Sequence, residues 1–142
     1  MRQVVTESPS FPRIQPNEPL TPASGALWQV LCGDSGHWRA GLYSPAATRA
    51  ADCQELERHD CPELFLLLEG RLTLLLTRDR QVVELPLEPG RPVLVTAAHA
   101  GFCPDGAHTG RALVVERDEF ETEYGSVAEH TESQTLVLPR MR

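Results

Sequence analysis

The chain has 142 residues, which is enough for one domain with a single hydrophobic core. Its net charge is −7 and it contains no lysine. We therefore expect neither a nucleic-acid partner nor binding to an anionic membrane surface, since both require a basic face, and no Schiff base can form.

The compartment is indicated by the cysteines and by the absence of long apolar runs. No stretch is long enough to cross a membrane, and no signal peptide is visible at the N-terminus. The four cysteines show no C-x-x-C spacing, so a structural zinc knuckle is not predicted. We expect a cytoplasmic protein with reduced thiols. The cysteines are Cys32, Cys53, Cys61 and Cys103.

Residues 1–25 contain a proline at every third or fourth position from Pro9 to Pro22. Proline removes a backbone donor and fixes φ, so neither a helix nor a central strand is expected there. Two interpretations remain open. The segment is either an extended arm lying on the domain or on a partner subunit, or it is disordered.

A hairpin is predicted after this segment. Residues 26–32 are apolar and indicate a strand, residues 33–36 are turn formers, and residues 37–43 indicate the returning strand. Residues 46–53 fit either a helix or a short strand.

The stretch from Glu57 to Gly70 permits two structures. A capping-box pattern that ends at Glu63, followed by leucines, favours a helix. Two short apolar runs, at 64–69 and 71–77, instead favour buried strands separated by a glycine turn. Periodicity alone leaves both structures open.

Further short strands are predicted toward the C-terminus, separated by polar turns such as residues 78–80. Residues 97–110 indicate a loop, and residues 118–132 are acidic and weakly patterned. Short strands at close spacing indicate an all-β sandwich or barrel. The additional predicted strands are residues 81–85, 92–96, 111–117 and 135–138.

From about Trp38 to Glu116 the chain resembles the cupin superfamily. His59, Glu63 and Gly70 match the second half of the family's first motif, and residues 87–97 are similar to its second motif. The resemblance implies a double-stranded β-helix barrel, which favours strands between residues 64 and 77. We expect an all-β fold with a proline-rich arm at residues 1–25 and one cupin domain at residues 26–142.

The chain also departs from the family's motifs. Glu57 stands where the first ligand histidine is usual, and Gly101 stands where the third is expected, with His99 two residues earlier. The resemblance implies a metal site in the barrel. Its candidates in this chain are His59, Glu63 and His99, with Glu57 a weaker one.

The residue types agree with metal chemistry. Imidazole and carboxylate together suit Fe, Mn, Zn or Ni, so one divalent ion of this group is the expected cofactor, if any binds. Residues two or four apart on a strand point to the same face. Cys61 follows His59 by two residues and Cys103 follows His99 by four, so each cysteine is expected on the same face as its histidine. We expect Cys61, Phe65 and Cys103 to line the pocket. The alternative is that these residues are ordinary hydrogen-bonded, ion-paired or core side chains.

Three functions remain open at this point. The first is a small-molecule-binding cupin, acting with a metal as an oxygenase or isomerase on a small polar metabolite. The second is a metal-free cupin that binds or senses a ligand. The third is mainly a dimerising structural module, and a homodimer is expected in any case because cupins commonly pair through their sheets.

Overall fold

The computed structural model describes residues 1–133, which form eleven strands, a single-turn 3₁₀ helix at Ala50–Asp52 and one α-helix. The predicted all-β class is therefore confirmed. The elements are β1 (Arg2–Thr6), β2 (Trp28–Asp34), β3 (Trp38–Tyr43), β4 (Glu55–His59), β5 (Glu63–Glu69), β6 (Thr73–Arg78), β7 (Gln81–Pro86), β8 (Val93–Val95), β9 (His99–Phe102), β10 (Arg111–Arg117), β11 (Phe120–Ser126) and α1 (Val127–Ser133).

The strands form two antiparallel sheets. One has six strands in the order β1-β11-β4-β9-β6-β7, and the other has five in the order β2-β3-β10-β5-β8. Most neighbours within a sheet are distant in sequence, as expected when a chain winds back and forth between two sheets. Side chains of both sheets meet in one apolar core, which includes Phe65 and Val114 from one sheet and Leu74 and Leu76 from the other.

The leucine-rich stretch forms strands, so its helical interpretation is wrong. Side chains of β5 alternate between the interior and the surface, with Phe65 buried and Leu64 exposed. Gly70 ends the strand with φ of +65°, and a Cβ placed there would lie 2.0 Å from the Thr109 carbonyl oxygen. Only glycine fits this turn, because any side chain would collide with the neighbouring backbone.

Near the C-terminus one prediction is wrong in part, and one stretch that carried no structural prediction contains regular elements. The loop predicted at 97–110 contains β9, which is bonded on both sides by β4 and β6. The weakly patterned residues 118–132 contain β11 and α1. In both places pairing with neighbouring strands outweighs weak local preference. The strand predicted at 135–138 lies outside the described residues.

The first residues belong to the six-stranded sheet in this structure. β1 lies at its edge and pairs with β11, so that Arg2 faces Tyr124. Farther along, Ser10 is held by Asp118: its backbone N–H donates to Asp118 Oδ1 at 2.7 Å. The boundary between an arm and a domain at residue 25 stays a prediction.

The one α-helix within residues 1–133, α1, is seven residues long. No helix in this part of the chain has the length and apolarity needed to cross a bilayer.

Candidate metal centre

Four side chains from three strands converge between the two sheets. Glu57 and His59 lie on β4, His99 lies opposite Glu57 on β9, and Glu63 begins β5 in the other sheet. One possible ligand atom from each residue can be chosen so that all four lie within 4.8 Å of one another. The strand pairing therefore brings together all three sequence-predicted ligands and the weaker candidate Glu57.

Both imidazoles present the same nitrogen to the carboxylates. His59 Nε2 lies 3.1 Å from Glu63 Oε1 and 3.7 Å from Glu57 Oε1. His99 Nε2 lies 3.0 Å from Glu63 Oε2 and 3.5 Å from Glu57 Oε1. Glu63 thus lies between the two rings and offers one oxygen to each.

The other ring nitrogens are held from outside the cluster. His99 Nδ1 donates to the backbone carbonyl of Ala97 at 3.0 Å. His59 Nδ1 lies 2.6 Å from the hydroxyl oxygen of Thr122 on β11. A hydrogen bond at Nδ1 holds each ring in place, so that Nε2 is the atom able to bind a metal once it has lost its proton. This donor set and orientation fit a divalent ion.

The cluster is largely shielded from water. The side chains of His59, Glu63 and His99 are 6%, 5% and 3% exposed, whereas that of Glu57 is 35% exposed. Glu57 therefore faces the open side of the site.

Charge interactions in the cluster outweigh the effect of burial. Burial opposes ionisation of His59 and His99, but the adjacent carboxylates of Glu57 and Glu63 raise their pKa values to about 9 and about 10. Burial likewise opposes ionisation of the two glutamates, but hydrogen bonds from the rings lower the Glu57 pKa to about 2 and hold the Glu63 pKa well below its usual range. Without an ion, the four groups neutralise one another.

A third carboxylate, outside the four-residue cluster, interacts with Glu63. Glu116 on β10 pairs with Arg39 on β3, with 2.9 Å between Arg39 Nη2 and Glu116 Oε1. Its other oxygen, Oε2, is buried without a hydrogen-bond partner. Burial, and then the charge of Glu63, raise the Glu116 pKa to about 7, against the opposing effect of Arg39.

A cavity of about 620 Å³ adjoins the four-residue cluster. Phe65 lines it, as predicted, together with aromatic residues from both sheets. Cys61 and Cys103 are buried, but they are not among the residues that line it. The parity argument fails for them because it requires an unbroken strand, whereas β4 ends at His59 and β9 ends at Phe102. Cys103 Sγ instead lies 3.4 Å from the Gly110 backbone nitrogen.

Gly101 occupies the position where a third histidine was expected, and a tyrosine fills the space beside it. A Cβ on Gly101 would lie 2.8 Å from the Tyr43 hydroxyl oxygen. Burial and the nearby Glu57 carboxylate raise the pKa of the Tyr43 phenol above its usual value. The phenol is therefore a neutral polar group in the cavity wall.

Sequence reasoning missed Thr122, Arg39 and Glu116. Thr122 lies in a stretch without a clear strand pattern, and its role depends on pairing with His59 across β4 and β11. Arg39 and Glu116 are a cross-strand pair of β3 and β10. The available signal was a charged residue near one end of each of two largely apolar strands, since a charge that becomes buried is usually paired.

Comparison with known proteins supports the fold through structure. No protein-family model matches the sequence, and no curated protein matches it. The structure of hydroxypropylphosphonic acid epoxidase (HppE) from S. wedmorenis with fosfomycin aligns over 78% of this chain and 60% of its own, with 16% identity and a TM-score of 0.50. FeII HppE aligns over 80% and 64%, with 14% identity and a TM-score of 0.52.

A cupin-2 domain containing protein from Shewanella frigidimarina also aligns, over 68% of this chain and 84% of its own, with 15% identity and a TM-score of 0.48. The chain therefore shares the fold of the HppE structures, in agreement with the β barrel that the sequence resemblance implies. It spans about three-fifths of the length of the HppE structures that it matches. At these identities the likeness concerns the fold alone, and the chemistry of this chain has to be argued from its own side chains.

Proposed function

We propose that this cupin binds one divalent metal ion at Glu57, His59, Glu63 and His99 and acts as an enzyme on a small molecule held in the adjoining cavity. One observation carries the proposal. Both histidines turn Nε2 toward the same carboxylates, while their Nδ1 atoms are held by Ala97 and Thr122. This arrangement is the one expected of metal-ligating histidines.

Two imidazoles with carboxylates suit Fe, Mn, Zn or Ni, and such an ion would supply Lewis-acid or redox chemistry of the oxygenase or isomerase type. The protein's own part is to bind and orient. Phe65 and Phe120 exclude water from one side of the rings, and Glu57 faces the cavity. The proposed substrate is a small polar metabolite.

Metal analysis tests this proposal directly. Full-length protein is exposed in turn to Fe, Mn, Zn and Ni, freed of excess ion, and its metal content is measured. We expect about one ion per chain for the wild type and a large loss for His59→Ala and His99→Ala. His37→Ala is the matched control, because His37 is exposed and outside the cluster. Absence of a stoichiometric ion from the folded wild type would refute the metal site.

A metal-free ligand-binding or sensor cupin is the second candidate. It is favoured by the direct contacts of Glu63 with both rings, at 3.1 and 3.0 Å, which satisfy these groups without an ion. A thermal-shift screen separates the two candidates, since a ligand that binds the folded state raises its stability. Stabilisation by organic compounds and by none of the four metals would favour the metal-free ligand-binding or sensor cupin.

Assembly and location complete the proposal. We propose a homodimer, supported by leucines exposed on the outer face of the five-stranded sheet. We also propose that the protein works in the cytoplasm without a nucleic-acid partner. The four free cysteines support the cytoplasmic location. The net charge of −7 supports the lack of a nucleic-acid partner.

A further inference from the structure

Carboxylate side chains outnumber arginines in the cavity wall. Arg39 is the one arginine among the described residues that line the cavity, and the sequence has no lysine. Five carboxylate side chains line the cavity, namely Asp52, Glu55, Glu57, Glu63 and Glu116.

The Arg39 guanidinium is already engaged in polar contacts inside the protein. Its Nη2 and Nε atoms lie 2.9 and 3.2 Å from Glu116 Oε1, and its Nη1 donates to the Ser10 carbonyl at 3.2 Å. The guanidinium also lies over the rings of Phe120 and Trp28, with its carbon 4.9 and 5.6 Å from their centroids. Arg39 is therefore held in place and paired, so it does not act as a free receptor for an anion.

Four arginines of residues 1–133 that lie outside the cavity wall are themselves paired with carboxylates. Arg71 and Arg91, which follow turn glycines, pair with Asp105 and Glu88 on the surface. At the rim, Arg49 and Arg2 pair with Asp52 and Glu55.

The deep part of the cavity is then close to electrically neutral when the proposed ion is present. The two positive charges of the ion would be matched by the carboxylates of Glu57 and Glu63, and Arg39 is paired with Glu116 at 2.9 Å. An anionic ligand would lose its hydration without meeting an uncompensated cation, and burying such a charge is costly. A neutral or cationic ligand does not incur this cost.

Aromatic rings form much of the remaining wall. Flat apolar faces of this kind favour ligands with an apolar or aromatic body, and they also tolerate a positive charge. The rings that line the cavity belong to Trp28, Tyr43, Phe65, Phe120 and Tyr124.

We infer that the cavity takes a small molecule with an apolar or aromatic body and no negative charge, and that it discriminates against oxyanions. The inference rests on the proposed function for the divalent ion in the charge balance. The contact of Arg39 with Glu116 is present without that ion.

Three planar probes of nearly the same shape test the inference: benzoate, benzamide and benzamidinium. Their dissociation constants for the full-length, metal-loaded protein are measured by isothermal titration. We expect benzamide or benzamidinium to bind at least about tenfold more tightly than benzoate. Benzoate binding as tightly as the other two would overturn the inference. Binding of none of them would overturn it too, because a cavity of about 620 Å³ accommodates each.

A charge variant tests the physical cause. Glu116→Gln leaves Arg39 without its carboxylate and is expected to tighten benzoate binding about tenfold while leaving benzamide nearly unchanged. Glu121→Gln removes the same charge from an exposed position and is the matched control. No gain for benzoate in folded Glu116→Gln would overturn the inference. If that variant does not fold, the wild-type order of the three probes decides alone.

Metal content measured on the same samples keeps the two proposals distinguishable. Protein that binds no metal but retains the probe order refutes the proposed metal enzyme and supports the inference. Protein that binds metal but prefers benzoate supports the proposed metal site and refutes the inference.

Discussion

The orientation of the candidate ligands depends on hydrogen bonds made by single residues outside the cluster. Thr122 is the clearest case, since its hydroxyl lies 2.6 Å from His59 Nδ1 and its side chain is buried. His59 lies near the end of β4, so this bond fixes the rotation of a ring that the strand alone would not hold.

Thr122→Val removes that bond while keeping the shape of the side chain. We expect the metal affinity to fall about 10- to 100-fold, the usual effect of losing a partner of a ligating histidine. Competition with a chromophoric chelator measures it. Thr96→Val, at an exposed position, is the control. Equal affinities for Thr122→Val and wild type would show that the hydroxyl does not orient His59.

Gly101 is a second residue whose role is local and testable. Gly101→Ala would place a methyl group 2.8 Å from the Tyr43 hydroxyl oxygen, and we expect a loss of about 1–3 kcal/mol in the free energy of unfolding. The cost should be smaller in a Tyr43→Phe background, because the closest atom is then missing. Urea unfolding of the four proteins measures the coupling, and an equal cost in both backgrounds would contradict this explanation.

At the scale of elements, most strands could be predicted and the order in which they pair could not. The apolar run at 111–117 shows its strand directly, whereas at 64–69 the family resemblance was needed to favour a strand over a helix. β9 has no such run, since its sequence is His-Ala-Gly-Phe, and it is a strand because β4 and β6 bond to it on both sides. The pairing of Glu57 with His99 depends on that register, so sequence spacing alone left Glu57 a weaker candidate.

Beyond the pairing of β1 with β11, the buried carboxylate of Asp118 binds the N-terminal segment to the rest of the protein. Asp118 Oδ1 accepts hydrogen bonds from Ser10 N at 2.7 Å and Ser10 Oγ at 2.6 Å, and Oδ2 accepts one from Gly36 N at 2.7 Å. Burial opposes ionisation of Asp118, but these bonds outweigh it and lower its pKa.

A lowered pKa in the folded state predicts a definite pH dependence. The stabilisation from Asp118 is present above the unfolded-state pKa of about 3.9 and is lost as the pH falls through the folded value. Asp118→Asn should therefore cost about 1–3 kcal/mol near neutral pH, and the difference from wild type should shrink below about pH 4. Urea unfolding at several pH values measures it, with Asp79→Asn at an exposed turn as control. A difference that grew in acid would have the wrong sign.

At the scale of the whole molecule, the outer face of the five-stranded sheet bears on assembly. Leu64 and Leu94 are cross-strand partners on β5 and β8, and they are 39% and 63% exposed. Leu68, farther along β5, is 49% exposed. Neighbouring exposed leucines on one sheet face are typical of a surface that packs against another protein.

Light scattering after size exclusion tests the proposed homodimer. We expect the wild type at twice the chain mass of 15.7 kDa, and Leu94→Arg at the mass of one chain with its fold preserved. Val5→Arg changes an equally exposed residue in the other sheet and should remain dimeric. A monomeric wild type would refute the homodimer.

The pairing of β1 with β11 joins residues from the two ends of the described chain, so that Arg2 lies opposite Tyr124. Closing so long a loop is slow compared with forming a hairpin such as β6–β7, because much chain entropy is lost before the contact forms. β11 also carries Thr122, the partner of His59. During synthesis the candidate ligands up to His99 therefore leave the ribosome before the strand that orients one of them, and full affinity for a metal is expected to arise only after the rest of the barrel has folded.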